Sequence, residues 1–422
     1  KYLPLWSISA AWNINREGFM EEADWLSNLK LRASYGLQGN VDKNTSPMIV
    51  GEWNNTSILP GANEPNIGVT YPPNPYLRWE KTSNWNLGVD FGVLRNRITM
   101  SLDGYYRVSD DLIGTRYITG ENGFDYSTMN WAKATNKGVE FSLSTTNIRT
   151  KDFRWTTDFN IAHNTSLVNR INIRDNSYTP SLKGHPIGAQ FALKTAGVDD
   201  RGLPMFWKGD NKVTMEEFFQ LGPGSGFEEM SFLNVSDYRD LYTYIGDSEP
   251  KFTGGFINRF YYKNFDLTIA TSFNIGQTMK ETPFYEPTQV SPGENYSNRM
   301  SEVWSSDNPE GRYPGLLGRN TLETNYAYLW FSSLDPNNSF KDYDIWYKKI
   351  NYLRVNSIRL GYTLPSKLAQ KIYMTHARVS VEARNPFVLG SSYKGYFDPE
   401  SYGNIYSQPL PKTFSCGLEL AF

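Results

Sequence analysis

The chain has 422 residues, 15% of them aromatic, yet its mean hydropathy is low, at −0.54, and its formal net charge is −2. This near-neutral charge argues against a nucleic-acid partner, and a single cysteine, Cys416, excludes an intrachain disulfide. No apolar run reaches the roughly 18 residues that a membrane-spanning helix requires. Strands of about ten residues with alternating apolar and polar side chains also cross membranes, however, and they leave the mean hydropathy this low.

Apolar and polar residues alternate with a period of two along the whole chain, a pattern typical of β-strands with two different faces. In chain order, we predict strands over residues 6–14, 29–37, 85–93, 98–108, 139–145, 153–161, 252–260, 265–275, 353–364, 377–383 and 414–422. The third and fourth strands form a hairpin through a short turn around Asn96. In the ninth, the parity changes between Val355 and Ile358, which indicates a β-bulge.

Short and long connections alternate strictly between these predicted strands. The short connections lie near residues 16–28, 94–97, 147–152, 262–264 and 365–375. The long connections lie near residues 39–82, 109–137, 163–251, 276–352 and 386–411. Such long segments argue against a compact soluble domain, whereas outer-membrane barrels alternate short periplasmic turns with long extracellular loops. We therefore predict an all-β fold, a transmembrane antiparallel β-barrel.

The predicted strand count has a consequence for the extent of the barrel. Eleven strands are an odd number, whereas bacterial single-chain barrels have an even number. A carboxyl terminus in the periplasm would place residue 1 outside the cell. Strand edges cannot stay unpaired in lipid, because no water satisfies their backbone groups. We therefore expect residues 1–422 to be the carboxyl-terminal part of the barrel, with the remaining strands in sequence that precedes it.

Ten segments spread along nearly the whole chain carry a recognisable pattern. They are LKLRASYGLQGN, WEKTSNWNLGVDFGVLRNRITMSLDGYYRVSDDLI, NKGVEFSLSTTNI, GHPIGAQF, AGVDDRGLPMF, IGDSEPKFTGGFINRFYYKNFDLTIATSFNIG, LRVNSIRLGYTLP, EARNPFVL, YFDPE and PLPKTFSCGLELAF. In this order, they resemble the SusC branch of the TonB-dependent outer-membrane transporters of Bacteroidota.

The resemblance implies several features that these residues do not contain. It implies a barrel of about 22 strands with an amino-terminal plug in its lumen. It also implies a TonB box, which couples the transporter to the inner-membrane energy system, and a SusD-like surface lipoprotein that closes over the extracellular mouth. We expect the plug and the TonB box in the preceding sequence.

We predict no enzymatic activity, because the motifs GxxxxGK, GxSxG, HExxH and CxxC are absent from the sequence. The acid pairs Asp110–Asp111 and Asp199–Asp200 suggest glycosidase carboxylates or calcium ligands, but such pairs are ordinarily solvated. The segment GVDDRGLP lacks the alternating oxygen ligands and closing Glu of a calcium loop. We predict no metal and no cofactor, with a calcium ion elsewhere in the long connections as an open alternative.

Aromatic residues in the long connections are the candidate ligand contacts, because a flat ring stacks on a sugar or holds a peptide side chain with little loss of conformational entropy. The alternative is that these rings pack the connections against each other, the plug or the lid protein. We select Trp53, Tyr71, Phe124, Tyr126, Trp131, Trp207, Trp304, Trp330, Tyr393 and Tyr396 from a wider set that also contains Tyr242, Tyr244, Phe331 and Trp346.

The function predicted from these features is gated import of a nutrient through the outer membrane, with a glycan favoured and an oligopeptide as the alternative. Polar residues that would face the lumen include Asn86, Asp90, Asp103 and Arg107. Two other functions stay open. One is a soluble or surface β-rich carbohydrate-binding or hydrolytic module, and the other is a passive porin, which would have no plug.

Overall fold

The computed structural model describes residues 4–43, 45–54, 66–172, 177–219, 235–287, 290–291, 293–316, 339–392, 398–401 and 408–422. The strands are β1 (Trp6–Asn13), β2 (Leu26–Asn40), β3 (Val50–Asn54), β4 (Asn66–Tyr71), β5 (Glu80–Val93), β6 (Ile98–Tyr117), β7 (Tyr126–Arg149), β8 (Phe153–Arg170), β9 (Ala189–Leu193), β10 (Thr195–Val198), β11 (Pro204–Lys208), β12 (Asn211–Val213), β13 (Tyr242–Asp247), β14 (Phe252–Tyr262), β15 (Phe265–Lys280), β16 (Tyr347–Thr363), β17 (His376–Leu389) and β18 (Thr413–Ala421). The α-helices are α1 (Met215–Phe218), α2 (Val235–Asp240) and α3 (Ser366–Lys371). Among the described residues, no helix is both long and apolar enough to cross a membrane.

Within these described ranges, eleven strands form one antiparallel sheet in the order β1-β2-β5-β6-β7-β8-β14-β15-β16-β17-β18. Each predicted strand corresponds to one of them, so the prediction of an all-β fold built on an antiparallel barrel sheet is confirmed. The predicted bulge in β16 is also confirmed, because the pairing skips Asn356 between Val355 and Ser357. The total of about 22 strands stays a prediction.

Several long connections are shorter than predicted, because the strands on either side of them are longer. The predicted connection 109–137 shrinks to residues 118–125, because β6 and β7 continue to pair through two register shifts after Ser109. Each bulge adds a residue and reverses the side-chain parity, which hides the period-two signal although the backbone bonds continue. For the same reason β15 extends past Gly276, and the connection that follows it spans residues 281–346.

The sheet has one apolar and one polar face. Directly paired residues of neighbouring strands lie on the same face, so rows of paired residues identify each face. One row of paired residues is apolar: Leu31, Val89, Leu102, Phe141 and Ile161. The adjacent row is polar: Lys30, Asp90, Ser101, Ser142 and Asn160. On the apolar face, Leu87 is 68% exposed and Trp85 is 56% exposed. In a membrane barrel such a face contacts lipid, and the polar face lines the lumen.

A second core lies above the wall, in the connections after β8 and β15. It is built from aromatic and aliphatic side chains that are almost completely buried: Leu193, Leu203, Phe206, Val213, Met215, Phe218, Phe219, Tyr238, Tyr285, Val303, Tyr313, Phe340, Tyr343 and Trp346. The small sheets β9–β13 and β10–β11–β12 belong to these connections. We call this packed unit the cap. The described parts of the two connections therefore pack against each other around this core.

Candidate functional site

The polar face of the wall carries a charged cluster centred on Arg32. Its guanidinium donates from Nε to Asp90 Oδ2 and from Nη2 to Asp103 Oδ2, both at 2.9 Å. Ser101 Oγ accepts from Arg32 at 3.1 Å and donates to Asp90 Oδ1 at 2.9 Å. Both carboxylates are thus bound to the same guanidinium, and Lys30 is the directly paired neighbour of Asp90 on this face.

Gly88 makes the Arg32 cluster possible. It lies in β5 between Arg32 of β2 and Asp103 of β6, in one row of paired residues. A Cβ at Gly88 would lie 2.7 Å from Arg32 Cζ and 2.5 Å from Asp103 Oδ1. The bond from Arg32 to Asp103 therefore crosses directly over the glycine, and any side chain there would block it.

We expect Gly88→Val to separate Arg32 from Asp103, because two methyl groups would occupy the space that the guanidinium now crosses. Crowding and the lost charged hydrogen bond together predict destabilisation of about 2–4 kcal/mol. Chemical unfolding of the full-length protein in detergent measures this change. Gly104→Val is a matched control, because a Cβ at Gly104 has no neighbour within 4 Å. Equal midpoints for the two variants would contradict this role of Gly88.

The predicted lumen-facing residues all lie on the polar face. Asp90 and Asp103 bind Arg32, and Arg107 donates from Nε to Asn84 Oδ1 at 3.2 Å. These side chains line the wall with hydrogen-bonding groups that already have partners. They form a polar surface and do not converge on a single bound group.

The cap contains an open pocket of about 460 Å³. Four rings contribute to its lining, together with one carboxylate and one amide. The lining residues are Tyr178, Thr179, Pro180, Leu182, Ala189, Gln190, Phe191, Tyr242, Asp342 and Tyr347. Aromatic surfaces with few polar groups are the usual composition of ligand pockets.

Asp342 anchors the polar side of this pocket. Its Oδ1 accepts from Lys280 Nζ at 2.6 Å, and its Oδ2 accepts from Tyr242 Oη at 2.8 Å. Burial raises the pKa of the Tyr242 hydroxyl well above its ordinary value, with Tyr238 and Asp342 adding to the effect. The hydroxyl therefore stays protonated and keeps donating to Asp342 at physiological pH. The described lining residues therefore offer oriented rings and hydrogen-bonding groups.

The described aromatic candidates occupy separate places. Trp53 is 67% exposed in β3, Tyr126 lies 6.4 Å from Tyr117 between ring centroids, and the Trp131 ring lies under the guanidinium groups of two arginines. Phe124 is partly buried between β6 and β7. Trp330, Tyr393, Tyr396 and the side chain of Tyr71 lie outside the described part of the chain.

Two further candidates, Trp207 and Trp304, belong to the connections that form the cap. Lys212 lies 5.4 Å from the centre of the Trp207 ring. Trp304 packs on Gly202 and Gly315, where an added Cβ would come within 2.6 Å and 2.8 Å of its ring. This contact gives Trp304 a packing role. The structure does not bring the described candidates together into one site.

None of the ten aromatic candidates selected from the sequence lines this pocket. Tyr242 belongs to the wider aromatic set, whereas Tyr178, Phe191 and Asp342 were missed. Aromatic density in the sequence marks these connections, but no local pattern separates a ring that faces the pocket from one that faces the core. The missed residues come from distant parts of the chain, and only their packing identifies them.

Comparisons with known proteins agree with this architecture. Residues 3–211 match a family model described as TonB dependent receptor-like, beta-barrel. The chain is 28% identical to the TonB-dependent receptor SusC of Bacteroides thetaiotaomicron over 99% of its own length and 40% of that protein. It is 27% identical to the TonB-dependent receptor P3 of Formosa agariphila, over 100% of its length and 42% of that protein.

Among solved structures, the chain resembles the RagAB peptide transporter, with a TM-score of 0.76 and 24% identity. This match covers 99% of the chain and 43% of that structure, and it concerns the fold. The chain thus spans about two fifths of the length of the relatives that it matches. Together with the eleven-stranded sheet and its two faces, these matches show a TonB-dependent receptor-like β-barrel of the bacterial outer membrane, similar along its whole length to SusC.

Proposed function

We propose that the full-length protein imports a nutrient across the outer membrane in a TonB-dependent manner, together with a SusD-like surface lipoprotein. The observation that carries this proposal is the aromatic pocket in a packed cap, joined to a wall whose inner face is polar. A ligand held in the cap would reach the periplasm along hydrogen-bonding groups. The SusC-like sequence supports the coupling to TonB and the lipoprotein partner.

We propose a glycan as the substrate, with an oligopeptide as the alternative. The rings of Tyr178, Phe191 and Tyr347 line the pocket, and flat rings suit the apolar faces of sugars. Gln190 also lines it and offers both a donor and an acceptor for hydroxyl groups. The one carboxylate among the lining residues, Asp342, is already paired with Lys280, which makes selection for a charged substrate less favourable. The RagAB structures, described as those of a peptide transporter, support the alternative.

The test uses the full-length protein purified with its partner lipoprotein. Calorimetric titration with oligosaccharide and oligopeptide libraries separates the two substrate classes. Tyr178→Ala removes one ring from the pocket, and we expect binding to weaken about 10-fold. Trp25→Ala removes a ring that is 57% exposed and does not line the pocket, and it should leave binding unchanged.

Cellular uptake completes the test of import. Growth on the identified substrate should require this protein and should stop when the proton-motive force is dissipated. Uptake that persists without the proton-motive force would contradict TonB dependence and favour a passive porin. Equal binding by wild type and Tyr178→Ala would contradict the role of the pocket.

A further inference from the structure

The lipid-facing side of the wall carries a basic cluster just above its aromatic belt. Along β5, the side chains on this face run from Lys81 through Ser83 to Trp85, and then to apolar residues as far as Val93. The Trp85 ring contacts Tyr35 at 4.2 Å between centroids, and Tyr35 in turn contacts Trp6 at 5.3 Å. Such a belt of outward aromatic rings marks the boundary between acyl chains and headgroups.

The height of the cluster follows from strand geometry. Lys81 precedes Trp85 by four residues, which corresponds to about 13 Å along the strand and about 10 Å along the membrane normal for a tilted strand. On β7, Lys133 lies four residues above Lys137, which pairs with Tyr106 in the same row as Trp85. The cluster is therefore level with the headgroups of the outer leaflet.

The cluster has more positive than negative charge, and its members are held in place. Asp111 accepts from Arg78 Nε at 2.9 Å and lies 3.4 Å from Lys81 Nζ. Asp110 lies 3.3 Å from Lys133 Nζ and 3.1 Å from Arg170 Nη2. Four cations thus surround two carboxylates. The cationic side chains remain 36–47% exposed, so the wall covers each of them only in part.

A bulge creates this arrangement. Between Ser109 and Leu112, β6 carries two residues where β7 carries only Lys133, so both aspartates lie beside that lysine. Asp111 adopts a positive φ of 56°, an uncommon conformation for a non-glycine residue. The backbone is thus locally distorted where the two carboxylates hold the cations on the outer side of the wall.

From this charge balance and height, we propose that Arg78, Lys81, Lys133 and Arg170 bind a phosphate group of an outer-leaflet lipid. A phosphate presents several charged oxygens, which complements four partly exposed cations whose excess charge is unbalanced within the cluster. The proposal does not depend on the transported substrate, because the cluster lies on the outside of the barrel wall. Such a lipid would fix the barrel in the membrane at β5 to β8.

The test uses the full-length protein in nanodiscs of phosphatidylcholine doped with diphosphorylated lipid A, with native mass spectrometry to count bound lipid A. The variant Lys81→Gln with Lys133→Gln removes two cations and leaves both arginine–aspartate pairs. We expect lipid A retention to fall about 10-fold to 30-fold. Lys151→Gln with Lys367→Gln is the matched control, since both lysines lie in short connections at the opposite end of the strands.

Each outcome decides the proposal. The proposal is supported if only the variant loses lipid A. Unchanged heat-modifiable migration on gels must show at the same time that the variant is folded. Equal retention by variant and control would overturn it. Equal retention of dephosphorylated lipid by the wild type would show that phosphate is not recognised. Displacement of lipid A by millimolar inorganic phosphate would assign the cluster to a soluble anion and overturn the lipid as its occupant.

Discussion

Trp346→Ala should open the cap while leaving the barrel wall intact. The Trp346 side chain is completely buried, its indole nitrogen donates to the Phe340 carbonyl at 2.8 Å, and its ring stacks on Tyr313 at 5.3 Å. Truncating a buried Trp to Ala typically costs about 3–5 kcal/mol. Hydrogen exchange of the full-length protein should therefore quicken about 100-fold or more at cap amides, among them Glu281, whose N–H donates to the Trp346 carbonyl.

Trp53→Ala is the control for this prediction, because it makes the same change at a ring that is 67% exposed. Exchange in the cap should not change in that variant, and exchange in β14 and β15 should be the same in both. If Trp346→Ala left cap exchange as slow as in the control, the aromatic cluster would not be what holds the two connections together.

Arg354→Met should release the segment 398–401 from the wall. Arg354 is only 3% exposed, and its guanidinium contacts Asp398 and also Glu400, the latter at 2.6 Å from Nε. Removing the cation leaves two neighbouring carboxylates without a counter-charge. Loss of one partner from a buried ion pair costs about 3–5 kcal/mol. We expect a glutamate-specific protease to cleave after Glu400 at least 10-fold faster in the full-length variant.

Arg384→Met is the matched control for the Arg354 prediction. Arg384 also belongs to the wall and contacts Glu382, but its side chain is 64% exposed, so water replaces the lost interaction. Cleavage after Glu400 should be unchanged in this control. The cleavage rate of Arg354→Lys should lie between those of wild type and Arg354→Met, because lysine keeps the charge but lacks the planar guanidinium that contacts both carboxylates. Equal cleavage in all variants would mean that another contact holds the segment.

The sequence alone was sufficient to predict the wall. Period-two alternation reflects a strand with different surroundings on its two faces, and this signal is local to each strand. For that reason all eleven wall strands, the short connections and even the bulge at Asn356 follow from the order of the residues. The signal failed where bulges reversed the parity, as after Ser109, and the predicted connection 109–137 was too long as a result.

The cap and its pocket were decided by tertiary structure. Rings such as Trp346 and Tyr242 have similar chemistry and similar polar neighbours in the sequence, yet one is completely buried and the other lines the pocket. Burial in the cap depends on contacts between connections that are distant in the sequence, and the local alternation of apolar and polar residues does not reflect such contacts. The sequence by itself therefore determined an outer-membrane barrel wall with long aromatic connections. Only packing between those connections decided which rings form the core and which line the pocket.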